Sequence, residues 1–212
     1  MKYVEFTYID RINKTSVIDN PAYNGPVYPE VAGLTFEFAL ESQYPITGKN
    51  FPKLYGTCPD NADTNTVGVI RVIDLNTYNS IKAKELAVRK ENKINEADKF
   101  WESKINSGIK YNNVNFSTDD KSRQLISNVA QVALLTKINS TDFEPIQWDG
   151  KDDTGNDASL NLNADQALEL QSLIVRDGEI QYNKLRTMTQ NIKNTNNFQE
   201  LNDIENLFET DV

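Results

Sequence analysis

The stretch Asp74-Leu75-Asn76-Thr77-Tyr78, continuing through Arg89-Lys90-Glu91-Asn92-Lys93 to Phe100-Trp101-Glu102-Ser103-Lys104-Ile105-Asn106, decides how the rest of the chain is read. From Leu75 to Asn106 it holds neither proline nor glycine, so nothing in it breaks an α-helix. Asp74 stands where an N-cap belongs, and Ser107-Gly108 supplies the stop. Leu75, Tyr78, Ile81 and Leu86 mark an apolar face at one end; Ile94, Ala97, Phe100, Trp101 and Ile105 mark one at the other. Between them Arg89 to Lys93 is wholly polar. The pattern predicts one helix about 48 Å long, packed at both ends and wetted in its middle. Such a helix would be a rigid stand-off, holding two modules roughly 45 Å apart. Trp101 and Phe100 are expected to anchor it to the second module.

On the N-terminal side, residues 1–74 read as β-rich. Tyr3 to Ile9 alternates with period two, and Thr15-Ser16-Val17-Ile18 could return as a hairpin partner. Asn20 to Pro29 carries three prolines and a glycine and predicts an extended surface segment. Leu34–Leu40 and Val67–Ile73 resume strand character, and Pro45 to Asn65 between them reads as a long loop. On the C-terminal side, Ile109 to Phe116 predicts a tight hairpin turning at Asn112-Asn113. Helices follow over Ser122–Ile138 and from Asn163 onward, flanking a second hairpin whose polar tip is Asp149 to Asp157. A last helix is expected over Phe198–Phe208. The fold class is therefore α+β: a small β-rich module over 1–74, a linking helix over 75–107, and an α+β module over 108–212 with two hairpins and three helices.

Composition narrows the chemistry. Among 212 residues, 22 Lys+Arg face 31 Asp+Glu, a net charge of −9. Duplex nucleic acid binds by phosphate neutralisation and would be repelled, so no nucleic-acid partner is expected. The acids are dispersed rather than run together, which argues against a DNA mimic. Arg89, Lys90 and Lys93, interleaved with Glu91 and Glu96, read as a solvated helix face with i,i+4 pairs. No run approaches eighteen apolar residues, so no membrane partner is expected. Met1 to Phe6 alternates and lacks a signal-peptide core, an expectation that the chain stays where it is made.

Histidine is absent, which removes the commonest general base and zinc ligand. The single cysteine, Cys58, has no basic neighbour except Lys53 and reads as a packed, inert thiol. Asp149, Asp152, Asp153 and Asp157 invite a Ca²⁺ reading, yet their spacing misses the calcium loop and lacks its closing Glu. Asp, Asn and Gly are also what a hairpin tip uses, and that reading is preferred; no metal and no cofactor is expected. Nothing singles out a glycosidase pair: Glu37 and Glu41 are the kind of carboxylates any acidic protein offers. No phosphate-binding or nucleophile-elbow motif occurs. Five loop aromatics, Tyr23, Tyr28, Tyr44, Phe51 and Tyr55, stand as candidate partner contacts, with pinning of the loops to their own sheet as the alternative. No catalytic residue is assigned.

One resemblance adds to this. Gly108-Ile109-Lys110-Tyr111 leads to Val114-Asn115-Phe116-Ser117-Thr118-Asp119-Asp120-Lys121-Ser122-Arg123. Ile146-Gln147-Trp148, Leu160-Asn161-Leu162-Asn163-Ala164-Asp165 and Phe198-Gln199-Glu200-Leu201-Asn202-Asp203-Ile204 follow. From about Lys99 to Leu207 this order resembles an uncharacterised domain often found at the C-terminal end of bacteriophage tail-fibre and tail-assembly proteins. The acidic tip is longer than that pattern. Ala22 to Leu34 is similar to short phage proteins that pair such a segment with the same domain. The resemblance implies a structural tail subunit (baseplate, adaptor or fibre attachment), located in the virion after synthesis in the host bacterial cytoplasm. Its implied partners are other virion tail proteins and further copies of itself. The alternative it implies is a fibre-assembly chaperone absent from the finished particle.

Overall fold

The computed structural model describes residues 1–14, 16, 26–40 and 53–208. Among these, the strands of the first half are β1 (Lys2–Phe6), β2 (Ile9–Asp10), β3 (Pro26–Val27), β4 (Thr35–Ala39), β5 (Leu54–Cys58) and β6 (Val69–Ile73). Helix α1 (Leu75–Ile105) follows, then β7 (Ile109–Tyr111), β8 (Val114–Phe116) and α2 (Asp120–Ile138). The chain ends on β9 (Ile146–Lys151), β10 (Asp157–Leu162), α3 (Ala164–Asn194) and α4 (Phe198–Asn202). The fold is mixed α+β, with two antiparallel four-stranded sheets. It divides into two compact units, Met1–Asn92 with Thr195–Asn202, and Lys93–Asn194 with Asp203–Val212. The division falls inside α1 rather than at either of its ends, where the sequence suggested module boundaries.

In the first unit the sheet order is β4-β5-β1-β6. The period-two alternation of β1 sends Val4 and Phe6 to one face, and Tyr3 and Glu5 to the other. Val4 and Phe6 are fully buried with Leu54, Cys58, Ala39, Val31 and Ala62. The opposite face gathers Tyr3, Phe38, Tyr55 and Ile73 under Tyr78 and Ile81 of α1 and Phe198 of α4. Each fully buried ring or aliphatic side chain here is worth about 1.5–3 kcal/mol in removed apolar surface.

Several expectations change. The neighbours of β1 are β5 and β6, not a strand over 15–18. Ser16 makes only an isolated bridge to Ile9; Thr15, Val17 and Ile18 lie outside the described residues. The loop read over 45–65 contains β5, a central strand. Gly56 explains its disguise: a Cβ there would sit 2.1 Å from the Thr35 carbonyl oxygen, so the close approach of β4 demands glycine.

The second unit is built from local pieces. Asn112 and Asn113, at φ of 48° and 63°, turn β7 into β8, the conformation expected of that pair. Asp119 caps α2 through the Ser122 amide at 2.8 Å. Asn163 and Gln166 exchange side-chain-to-backbone hydrogen bonds of 3.0 Å each and start α3. The sheet order is β10-β9-β8-β7. Phe116, Ile126, Ala133, Leu162 and Leu170 form its core. A smaller cluster joins Ala97 and Trp101 to Leu185, Met188, Leu207 and Phe208. Trp101 thus anchors α1 as expected, whereas Phe100 is 42% exposed and does not. The final helix stops at Asn202, short of the expected Phe208, which is buried in that smaller cluster without being helical.

Candidate functional site

Of the five aromatics expected to touch partners, Tyr23, Tyr44 and Phe51 lie outside the described residues. Tyr55 is in β5 and 2% exposed, so it belongs to the core and not to a loop. Its hydroxyl donates to Glu5 Oε2 at 3.0 Å. Tyr28 alone of the five lies on the described surface, at 44% exposure.

Tyr28 is the middle of a stack. Pairing of β2 with β3, Ile9 opposite Val27, brings Tyr8 beside Tyr28. Their rings stack with centroids 5.5 Å apart, and Phe36 stacks on the other side at 5.8 Å. Phe6 meets Tyr28 in a T-shaped contact, centroids 5.9 Å apart, tying the shelf to the core. Burial, with the neighbouring Tyr28, raises the Tyr8 hydroxyl above its ordinary pKa. A groove of about 490 Å³ begins at Phe36 and runs past Phe38, Lys82, Arg89, Phe198 and Asn202.

Charges along this groove are already paired. Lys82 donates to Glu37 at 2.8 Å. Burial pushes the Glu37 carboxyl up, but the Lys82 ammonium and, after it, the nearby Tyr78 hydroxyl outweigh that and hold it below the usual range. Tyr78 is driven up by burial and by Glu37. Arg89 donates to Glu85 at 3.0 Å and to the Ala39 carbonyl at 2.6 Å, with its guanidinium 4.7 Å from the Phe198 ring centre. Lys90 donates to the Thr195 carbonyl. The polar centre of α1 is therefore not a wetted spacer at Arg89 and Lys90. The Arg89 side chain is 17% exposed, and it packs rather than floats. A polar helix pattern cannot distinguish those two fates.

Behind the groove, the Glu5 side chain has no exposure and is met by Lys53 at 2.9 Å, Arg71 at 2.9 Å and Tyr55. Antiparallel register places Tyr55 and Arg71 directly opposite Glu5 on its two neighbouring strands. Burial raises this carboxyl, and the bonds from Lys53, Arg71 and Tyr55 more than reverse it, holding it below the usual carboxylate range. A carboxylate so held is a poor proton donor, the opposite of what a general acid requires.

In the second unit the acidic tip is organised as a turn. Asp152 Oδ1 accepts from the Thr154 and Asn156 amides at 2.8 and 2.9 Å. Asp153 pairs with Lys110, and Asp157 with Lys151. Tyr111 donates to Glu169 at 2.6 Å and, through burial first and that carboxylate second, is pushed up to about 12. The motif Ser117-Thr118-Asp119-Asp120-Lys121-Ser122-Arg123 joins two helices. Thr118 and Arg123 each donate to the Ile105 carbonyl at 2.6 Å, closing α1 where Asp119 opens α2. Cys58 is buried, as a packed thiol should be.

Neither a curated protein nor a solved structure matches the chain. The family model described as a domain of unknown function, DUF4376, matches residues 88–207. That span is more than half of the 212 residues, and the chain belongs to the DUF4376 family.

Proposed function

We propose that this protein is a structural component of a bacteriophage tail, a baseplate, adaptor or fibre-attachment subunit that works through protein–protein contacts and has no catalytic role. The observation that carries the contact reading is the half-exposed stack of Tyr8, Tyr28 and Phe36 opening onto the Phe198 groove. Aromatic rings with rigid supports are the side chains that dominate protein interfaces, because they bury much surface at little entropic cost. Among the described residues, the Glu5 and Glu37 carboxylates are spent on Lys53, Arg71 and Lys82, and that of Asp152 on the tip turn. The phage assignment rests on the spaced motifs between Gly108 and Ile204, which fall wholly within the matched span 88–207.

Mass spectrometry of purified particles from lysed host cells tests this reading. The chain should be recovered in constant proportion to the other tail proteins. Its absence would remove the virion assignment and favour an assembly chaperone that leaves before the particle is finished. Hydrolysis of cell-surface polysaccharide, abolished by one Asp or Glu substitution, would overturn both.

A further inference from the structure

The groove that begins at Phe36 lies within the first unit, between β4, an edge strand, and residues of α1 and α4. Its volume of about 490 Å³ falls in the range of small-molecule clefts, roughly 300–1,000 Å³. Phe36, Phe38 and Phe198 supply its apolar walls, and no aliphatic residue larger than Ala39 takes part. Its polar part includes three exposed amides, Asn197, Gln199 and Asn202, on α4 and the residue before it. We propose that this groove binds a neutral oligosaccharide, with sugar C–H faces on the phenylalanines and hydroxyls on the amides and Glu37.

The lining separates that ligand from its rivals. A lipid tail or an aliphatic anchor would cover the three amides and give them no hydrogen bonds. A phosphate or other anion needs an uncommitted cation, but Lys82 is held by Glu37 at 2.8 Å and Arg89 by Glu85 at 3.0 Å. A cation meets Glu37 already neutralised by the same pair. An added peptide strand meets a broken edge. The register of β4 shifts between Phe36 and Phe38, and its Ala39 carbonyl already accepts from Arg89 at 2.6 Å. A saccharide brings hydroxyls that both donate and accept, on a ring whose C–H groups suit the negative face of an aromatic.

The polar groups are held in place for this. Asn197 accepts from the Glu200 amide at 2.9 Å through Oδ1, which fixes the side chain and leaves its two N–H donors at the groove wall. Asn202 stands exposed one turn beyond Phe198. Glu37 accepts from Lys82 through Oε2 and retains acceptor capacity for a hydroxyl. Phe36 is 39% exposed at the mouth, within reach of a ring arriving from water. The site adjoins the contact surface proposed above but does not depend on the particle role. Recovery from particles and sugar binding are measured independently, so either can fail alone.

Titration of the isotope-labelled full chain with maltotriose, cellotriose and tri-N-acetylchitotriose, each to about 20 mM, reads the result in NMR shifts. At least one trisaccharide should bind with a Kd of about 0.1–5 mM, its shifts confined to residues 36–39, Lys82, Arg89 and residues 197–202. Raising NaCl from about 50 to 500 mM should leave that Kd within about twofold, because no charge is exchanged on binding. Asn202→Ala should weaken binding about tenfold. Gln147→Ala, in the polar cleft of the second unit, should leave it unchanged. The absence of saturable shifts with all of these sugars overturns the proposal. So does binding that maps to Gln147 and Asp149, or that Asn202→Ala leaves undiminished. Should Asn202→Ala not fold, the shift map of the native chain decides alone.

Discussion

The two sheets are alike in size and opposite in construction. In the first, β1 pairs with β5 and β6, so Tyr3 lies opposite Thr57 and Ile73, residues far along the chain. In the second, β7 pairs with β8 and β9 with β10, each across a short turn. The first sheet buries both faces and carries an ionised Glu5 within them. The second alternates cleanly: Gln147, Asp149 and Lys151 stay in water while Trp148 and Leu160 pack inward. Non-local pairing has to overcome loop-closure entropy before any contact rewards it, whereas hairpins form at once. Only the β8–β9 contact, Asn115 opposite Lys151, joins distant residues in the second sheet, so the difference separates a sheet held by long-range pairs from one held mostly by turns.

That contrast can be attacked at four points. The largest effect is expected at Gly56. Gly56→Ala drives a methyl into the Thr35 carbonyl and should detach β4, costing about 3 kcal/mol or more in urea unfolding. A near-neutral result would mean the edge strand is not needed. Next, Glu5→Ala strands Tyr55 and the inner ends of Lys53 and Arg71, at about 2–3 kcal/mol by the same measurement. A smaller response would show that Lys53 and Arg71, both partly exposed, simply turn to water.

Acid should separate the sheets in the same way. The Glu5 carboxyl is depressed on folding, so its contribution is complete above its ordinary value of 4.5. It is lost as pH falls through the lower folded value. Hydrogen-exchange protection in β1, β5 and β6, taken relative to the intrinsic rate at each pH, should therefore fall below about pH 4.5, and Glu5→Gln should flatten that dependence. The smallest effect belongs to the second unit. Gly178 sits inside α3 with open space where a Cβ would go, so Gly178→Ala should raise stability by about 0.5–1 kcal/mol in thermal unfolding. Two glycines would then answer one substitution with opposite signs.

How much of this was legible in the sequence follows from the same contrast. Asp74, Asn112-Asn113, Asp119 and Asn163 act within a few residues of themselves, and each does what its local chemistry implies. The strand β5 was hidden because its five residues include a glycine and lie between Pro52 and Pro59, the punctuation of a loop. Only the approach of Thr35 gives that glycine its meaning. Tyr28 could be picked out as a loop aromatic; Tyr8 and Phe36, which make it a surface, could not, since the stack depends on β2 meeting β3. The packing of Arg89 was equally invisible, because its ring partner Phe198 is more than a hundred residues away.

That last distance also sets a timetable. Phe198 contributes to the first unit, resting 5.2 Å from Phe38, although apart from its own segment, Thr195–Asn202, that unit ends at Asn92. A ribosome adding about 5–20 residues per second needs on the order of 5–20 s to travel from one point to the other. Throughout that interval Phe38, Arg89 and the groove between them stand without their lid. The first half of the protein is thus begun early and finished late, and a chain cut short between Asn92 and Thr195 would display an incomplete first unit.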